Sequence, residues 1–379
     1  MTKRLVICCD GTWNTPDQMN GGTSAPTNVV KVALAIAPVG ADGKEQRTYY
    51  HRGLGTSRWD RVRGGAFGFG LSRDVRDCYR FLVDHFEPGD EVFFFGFSRG
   101  AYTARSAVGF VRNSGILRPE HADRVGEAYA LYRSRRPGAR PKSVAAQLFR
   151  RSYSHETRIR FLGVWDTVGA LGIPLSGLRM VNLINRRWQF HDTALSSTVD
   201  TAFHALAIDE RRGPFQPALW TQADGATGQQ CEQVWFAGSH SDVGGGCPDP
   251  ALAEISLLWM ADRARGSGLT FEPDCFARRS GVAAEDVRQL GKVVAPDPLG
   301  HLHESRVGLY RLLPRYVRSI GTVDAEHEYA AAPAIARQRT ADYESPNLAD
   351  YVRNGARVMP VDLDFHTRVD PPPVSIAVS

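Results

Sequence analysis

The stretch Glu91-Val-Phe-Phe-Phe-Gly-Phe-Ser-Arg-Gly100 decides the fold. Val92 to Phe95 is an apolar run of strand length. A strand covered on both faces reads this way, because neither side of its pleat meets water. Gly96-Phe97-Ser98-Arg99-Gly100 then matches G-x-S-x-G, and Gly100 to Arg112, rich in Ala and Val, has the composition of a helix. Strand, tight turn and helix are the setting of a nucleophile elbow, whose glycines let strand and helix pass closely while the serine hydroxyl projects above the sheet. The pattern alone is weak, since 37 of 379 residues are glycine, so the flanking elements carry the reading. The competing reading is an ordinary strand-to-helix turn with a capping serine.

Three more segments repeat the arrangement. Leu5 to Cys9 runs into Asp10-Gly11-Thr12, Ile159 to Trp165 into Asp166-Thr167, and Gln233 to Ala237 into Gly238-Ser239-His240-Ser241-Asp242. Between them lie helical patterns. Val75, Tyr79, Leu82, Val83 and Phe86 keep a helical period over Ser72 to Phe86, and Ala251 to Ala264 follows Pro250, placed as a first-turn residue. Alternating strands and helices predict an α/β fold, a mostly parallel sheet with helices on both faces.

A serine hydroxyl is a poor nucleophile near neutral pH. It needs a base within hydrogen-bond reach and a group that orients the base. In hydrolases with this elbow the chain order is serine, acid, histidine. Asp166 closes the third segment and His240 follows the fourth, so Ser98, Asp166 and His240 form the expected catalytic set. Asp166 would equally suit a helix cap or turn, with Asp192, Asp200 and Asp209 as competing acids. His191 and His204 compete with His240, but no strand precedes either. The oxyanion needs preset donors: the N–H of Arg99, and one from Gly11 or Thr12 after the first strand. Asp10 and Asp242 are expected to fix these loops.

The composition is that of an ordinary globular chain, 42% hydrophobic and 23% charged, long enough to bury a core without disulfides or metals. The six cysteines include no CxxC pair and no zinc spacing, and read as reduced core residues, with Cys8 and Cys9 on opposite faces of one strand. His301 and His303 lie in loop-like surroundings without a ligand pattern, so no metal is expected. Gly64 to Gly70 lacks a preceding apolar strand and reads as a flexible loop rather than a dinucleotide fingerprint. No run of about 20 apolar residues exists, and the N-terminus is too short for a signal peptide. Synthesis in the cytoplasm is expected, with export by a signal-independent route left open.

The net charge of +5 is local: Arg133 to Arg160 holds nine Lys/Arg and one acid, Glu156. This stretch is either a solvated face or a peripheral contact for an anionic membrane. Without aromatic interleaving or a nucleic-acid motif, no nucleic-acid partner is expected.

Cys9-Asp-Gly-Thr-Trp-Asn14, Gly96 to Arg105, Gly163-Val-Trp-Asp-Thr-Val168, Ala205 to Arg212 and Trp235 to Gly246 together resemble the bacterial and fungal α/β-hydrolase family that includes the phospholipase effectors of the type VI secretion system. The resemblance implies an α/β-hydrolase catalytic core over 1–265 and a Ser-Asp-His esterase acting on phospholipid or related acyl esters, without a cofactor. A lid-like insertion is expected near 170–230, where Leu171, Leu175 and Leu178 would wall an acyl chain, and residues 266–379 are expected as an extension packed on the core. The alternatives are a soluble short-chain esterase and a non-catalytic hydrolase scaffold used for binding.

Overall fold

The computed structural model describes residues 2–11, 14–15, 17–20, 22–53, 66–168, 194–223, 226–278, 292–340 and 342–366. Eight strands form the central sheet: β1 (Arg4–Cys9), β2 (Gln46–His51), β3 (Glu91–Phe97), β4 (Ile159–Trp165), β5 (Val199–Ala207), β6 (Gln230–Phe236), β7 (Glu328–Ala331) and β8 (Val358–Met359). Their order across the sheet is β2-β1-β3-β4-β5-β6-β7-β8, and every neighbouring pair is parallel. The expected mostly parallel sheet is therefore wholly parallel across these eight strands.

Parallel sheets of this kind are covered on both faces, and this one has two cores. Val6 and Cys8 of β1 join Phe93, Phe95, Phe161, Trp165 and Phe203 on one side. Leu5, Ile7 and Cys9 join Val92, Phe94 and Leu162 on the other. The two adjacent cysteines thus face opposite ways, as the period of a strand requires. Each large side chain fully withdrawn from water contributes roughly 1.5–3 kcal/mol. The first core is closed by α1 (Asn28–Ala35) and α7 (Ala251–Gly266), the second by α2 (Ala66–His85), α3 (Arg99–Ser114), α4 (Val125–Arg133) and α5 (Val144–Tyr153). The remaining α-helices among the described residues are α6 (His240–Gly244), α8 (Ala332–Gln338) and α9 (Pro346–Arg353). All six cysteines are free thiols.

Four expectations change. Residues 66–70, read as part of a glycine loop, open α2, whose buried face from Leu71 onward carries the helix back over the low-propensity glycines; Gly64 and Gly65 lie outside the described residues. Pro250 is the N-cap of α7 rather than a residue of its first turn. The region read as a lid near 170–230 contains β5, an interior strand of the sheet. Finally, the chain after 266 does not merely pack on the core: β7 and β8 extend the sheet itself.

The order of strands places a crevice. After β1 the chain moves to β2 on one side, and after β3 it moves to β4 on the other. In open parallel sheets the carboxyl ends flanking such a reversal leave a cleft for ligands. The pairings Cys9 with Gly96, Phe97 with Trp165, and Ala207 with Phe236 bring the strand ends close to level. The turns that follow β1, β3, β4 and β6 therefore share one rim.

Candidate active site

Ser98 joins β3 to α3 with φ 56° and ψ −117°. This is left-handed backbone that a side chain resists, at a cost on the order of 1–3 kcal/mol. The surroundings impose it. A Cβ on Gly100 would stand 2.1 Å from the carbonyl oxygen of Cys9, and one on Gly96 would stand 2.7 Å from the Cα of Ala101. Only glycine lets α3 start this close to β1 and β3. The Ser98 N–H donates to the Trp165 carbonyl at 3.0 Å, tying the turn to the end of β4. Its side chain makes no cap hydrogen bond to α3, so the capping-serine reading does not describe it.

Asp166 is also a non-glycine residue at positive φ, 38°. Its carboxylate is fully buried and turned away from any local cap. Oδ1 accepts from the Ala207 N–H at 3.0 Å and from Arg318 Nη1 at 2.6 Å; Oδ2 accepts from Arg318 Nη2 at 3.0 Å. His240 Nδ1 lies 2.6 Å from Oδ2. Burial by itself would raise this carboxyl's pKa, but the Arg318 charge and the His240 contact hold it well below the usual carboxylate range. A carboxylate facing Nδ1 places the proton there and leaves Nε2 as the acceptor.

His240 opens α6 and is 5% exposed. Its ring centroid is 4.7 Å from that of Phe97, the residue before Ser98, and 5.1 Å from that of Phe215. Gly244 makes the approach feasible, since a Cβ there would stand 2.0 Å from the Phe97 ring. Glu210 Oε2 accepts from the His240 N–H at 3.3 Å. Burial would raise the Glu210 pKa, but its contacts with Arg212 hold it low. The Arg212 guanidinium lies 3.6 Å from the Phe215 ring centroid, bracing the ring against the imidazole. Asp242 fixes α6 through a capping box with Ser239, as expected of it. The Ser98 hydroxyl makes no hydrogen bond to His240 in this arrangement, although the two residues occupy the same rim.

The competing residues are committed elsewhere. Asp200 pairs with Arg158 at 2.5 Å near the opposite end of β5, and Asp209 accepts from the Gly238 N–H at 2.8 Å and the Tyr343 hydroxyl at 2.7 Å. His204 is fully buried, and its Nε2 accepts the Thr167 N–H at 3.1 Å. His191, Asp192, Thr12, Leu171, Leu175 and Leu178 lie outside the described residues.

Gly11 lies beside the serine, since a Cβ on it would be 3.3 Å from the Cβ of Ser98. Its N–H, however, donates to Asp10 Oδ1 at 2.7 Å, so the donor expected from Gly11 is engaged in this state. Asp10 Oδ2 also accepts from Thr27 at 2.9 Å and Tyr50 at 2.7 Å, which makes it the anchor of this loop. Arg99 is the first residue of α3, where main-chain amides point out of the helix toward the rim.

Asp242, Cys247 and His303 each bring one ligand atom within 4.8 Å of the others. Asp242 already accepts from the N–H and hydroxyl of Ser239 and from the N–H and Nδ1 of His303, and burial pushes the Cys247 thiol up to about 12. Asp242 and His303 thus form a hydrogen-bonded brace for α6. Among the described residues, no helix is long and apolar enough to cross a membrane.

Sequence reasoning missed Arg318 and gave Glu210 no role. Glu210 lies within the motif Ala205 to Arg212, so a buried acid beside paired arginines was its visible signal. Arg318 follows a stretch with no pattern, and nothing local distinguishes it.

The model of the type VI secretion system phospholipase effector Tle1-like catalytic domain matches residues 3–263. The chain is also similar to YEL023C, an uncharacterized protein of Saccharomyces cerevisiae, at 30% identity over 241 residues. That match covers 58% of this chain and 33% of the yeast protein, so the chain spans about a third of that relative's length. The crystal structure of an uncharacterized protein from Pseudomonas aeruginosa aligns with a TM-score of 0.41 at 17% identity, covering 72% of this chain and 46% of that one.

Proposed function

Because the chain belongs to the type VI secretion system phospholipase effector Tle1-like catalytic-domain family, we propose that it is a serine hydrolase that cleaves acyl esters of phospholipids. The observation that carries this reading is the positive-φ, non-capping conformation of Ser98 on the same rim as the hydrogen-bonded Asp166–His240 pair. A scaffold used only for binding has no reason to hold a serine in that backbone.

In the proposed cycle, substrate entry brings Ser98 Oγ and His240 Nε2 into contact, as catalytic hydrogen bonds often tighten only on binding. Oγ attacks the acyl carbonyl and Nε2 takes its proton. The oxyanion is held by the Arg99 N–H and a donor from the loop after β1. His240 returns the proton to the leaving oxygen as the C–O bond breaks, and the acyl group stays on Ser98. Water, deprotonated by the same imidazole, then releases the fatty acid. Asp166 keeps the proton on Nδ1 and stabilises the transient imidazolium. No cofactor takes part.

Hydrolysis of phosphatidylcholine vesicles beside a series of p-nitrophenyl esters tests the substrate class. Fatty-acid release from vesicles by the wild type, absent in Ser98→Ala, is the expected result. Activity confined to short soluble esters would make the protein a soluble esterase instead, and no activity on either substrate would favour a binding scaffold.

A further inference from the structure

The turn after α6 gathers three side chains of different ligand chemistry. Asp242 on α6, Cys247 just beyond it and His303 from the chain after α7 each bring one ligand atom, and these atoms lie within 4.8 Å of one another. Gly245 and Gly246, at φ 86° and 102°, turn the chain between Asp242 and Cys247. Such left-handed backbone suits glycine, and it carries the thiol back beside the carboxylate that precedes it. His303 arrives from 61 residues away in the chain.

The set is held in place by its neighbours. Asp242 is 1% exposed. Its Oδ2 accepts from the N–H and hydroxyl of Ser239 at 2.8 and 2.9 Å and from the His303 N–H at 3.1 Å. Its Oδ1 faces His303 Nδ1 at 2.6 Å. The loop around His303 is pinned on both sides: the His301 N–H donates to Asp249 Oδ2 at 3.4 Å, and the Ser305 hydroxyl to Glu210 Oε1 at 2.9 Å. Burial, then the Asp242 charge, holds the Cys247 thiol protonated, while a hydrogen bond with Ser241 favours the thiolate. A carboxylate that opposes a second negative charge attracts a cation, and a bound cation removes the thiol proton. Thiolate, imidazole and carboxylate are all ligands of zinc, whereas calcium and magnesium take oxygen.

We propose that Asp242 Oδ1, Cys247 Sγ and His303 Nδ1 bind one zinc ion, with water in the fourth position. In a tetrahedral site the oxygen and nitrogen would stand roughly 3.3 Å apart, so the ion replaces their hydrogen bond and the pair opens by roughly 0.7 Å. The Nδ1 proton is then carried on Nε2 and the Cys247 proton goes to solvent, one proton released per ion. Oδ2 keeps its place in the cap of α6. The ion thus clamps α6 to the chain beyond residue 266. The inference rests on no part of the catalytic reading.

Titration of the untagged, metal-stripped full chain with cobalt(II), an optical substitute for zinc, tests it. The expected result is one equivalent bound with an intense near-ultraviolet thiolate-to-cobalt band, which zinc displaces. Cys247→Ser should lack the band, and His303→Gln should weaken binding at least about tenfold. Cobalt held by the exposed His301 alone gives no such band. Zinc should also protect Cys247 of the wild type from alkylation, read by mass spectrometry, a measurement that needs no variant. No band in the wild type, a band that survives in Cys247→Ser, full affinity in His303→Gln, or alkylation of Cys247 that zinc leaves unslowed overturns the proposal.

Discussion

Arg318 grips the Asp166 carboxylate with both terminal nitrogens, at 2.6 and 3.0 Å, and both side chains are fully buried. The arginine also donates to the carbonyls of Ala207 and Phe215 at 2.8 and 2.6 Å. A residue from beyond the family-matched region, 3–263, thus positions the acid that faces His240.

Removing one partner of a buried ion pair strands the other charge and typically costs about 3–5 kcal/mol. Arg318→Met is expected to lose stability of that order in urea unfolding. Its acid behaviour gives a sharper readout. Asp166 titrates below its unfolded value of 3.8, so its stabilisation is complete above that value and disappears as pH falls through the lower folded value. Without Arg318 the folded value rises, and the acid-unfolding midpoint should move to higher pH. An unchanged midpoint would show that the guanidinium is not what holds the carboxylate ionised.

His204 should shape stability in a different window. Burial, then the Arg105 charge, pushes its pKa from 6.5 down to about 3. The folded chain keeps the ring neutral where the unfolded chain takes up a proton. Stability should therefore be full above about 6.5 and fall by a few kcal/mol as pH drops toward 3. His204→Gln should flatten this slope in denaturation curves taken across that range. A slope equal to wild type would assign it to other groups.

Two glycines should respond oppositely to alanine. Gly100→Ala would drive a methyl into the Cys9 carbonyl, 2.1 Å away, and should either prevent folding or cost more than about 3 kcal/mol. Gly126, in α4, has nothing within 4 Å of a built Cβ. Gly126→Ala should stabilise by about 0.5–1 kcal/mol through helix propensity. Thermal melts of both variants test the pair; a tolerated Gly100→Ala would contradict the tight elbow.

The fold was legible wherever burial on both faces left an unbroken apolar run. β1, β3, β4 and β6 announced themselves in this way, each ending in a polar turn. β5, Val-Asp-Thr-Ala-Phe-His-Ala-Leu-Ala, did not, because its interior position is partly filled by His204, whose Nε2 accepts a backbone N–H rather than meeting water. β2, Gln-Arg-Thr-Tyr-Tyr-His, lies at the sheet edge, where one side is half open and polar residues are tolerated. β7 and β8 are too short for any periodicity. The placement of Ser98, Asp166 and His240 was readable because each follows a strand at the rim. Arg318 was not, because its importance comes from a contact 152 residues away in the chain and from no local pattern.

The most direct measurement is covalent labelling of the intact chain by a fluorophosphonate, with the modified peptide identified by mass spectrometry. The probe reports whether a serine has been made nucleophilic by its base. Labelling at Ser98 in the wild type, lost in Ser98→Ala and slowed by at least about 100-fold in His240→Ala, is the expected result. Labelling that persists in Ser98→Ala, or proceeds at the wild-type rate in His240→Ala, would contradict the assignment of these two residues as nucleophile and base.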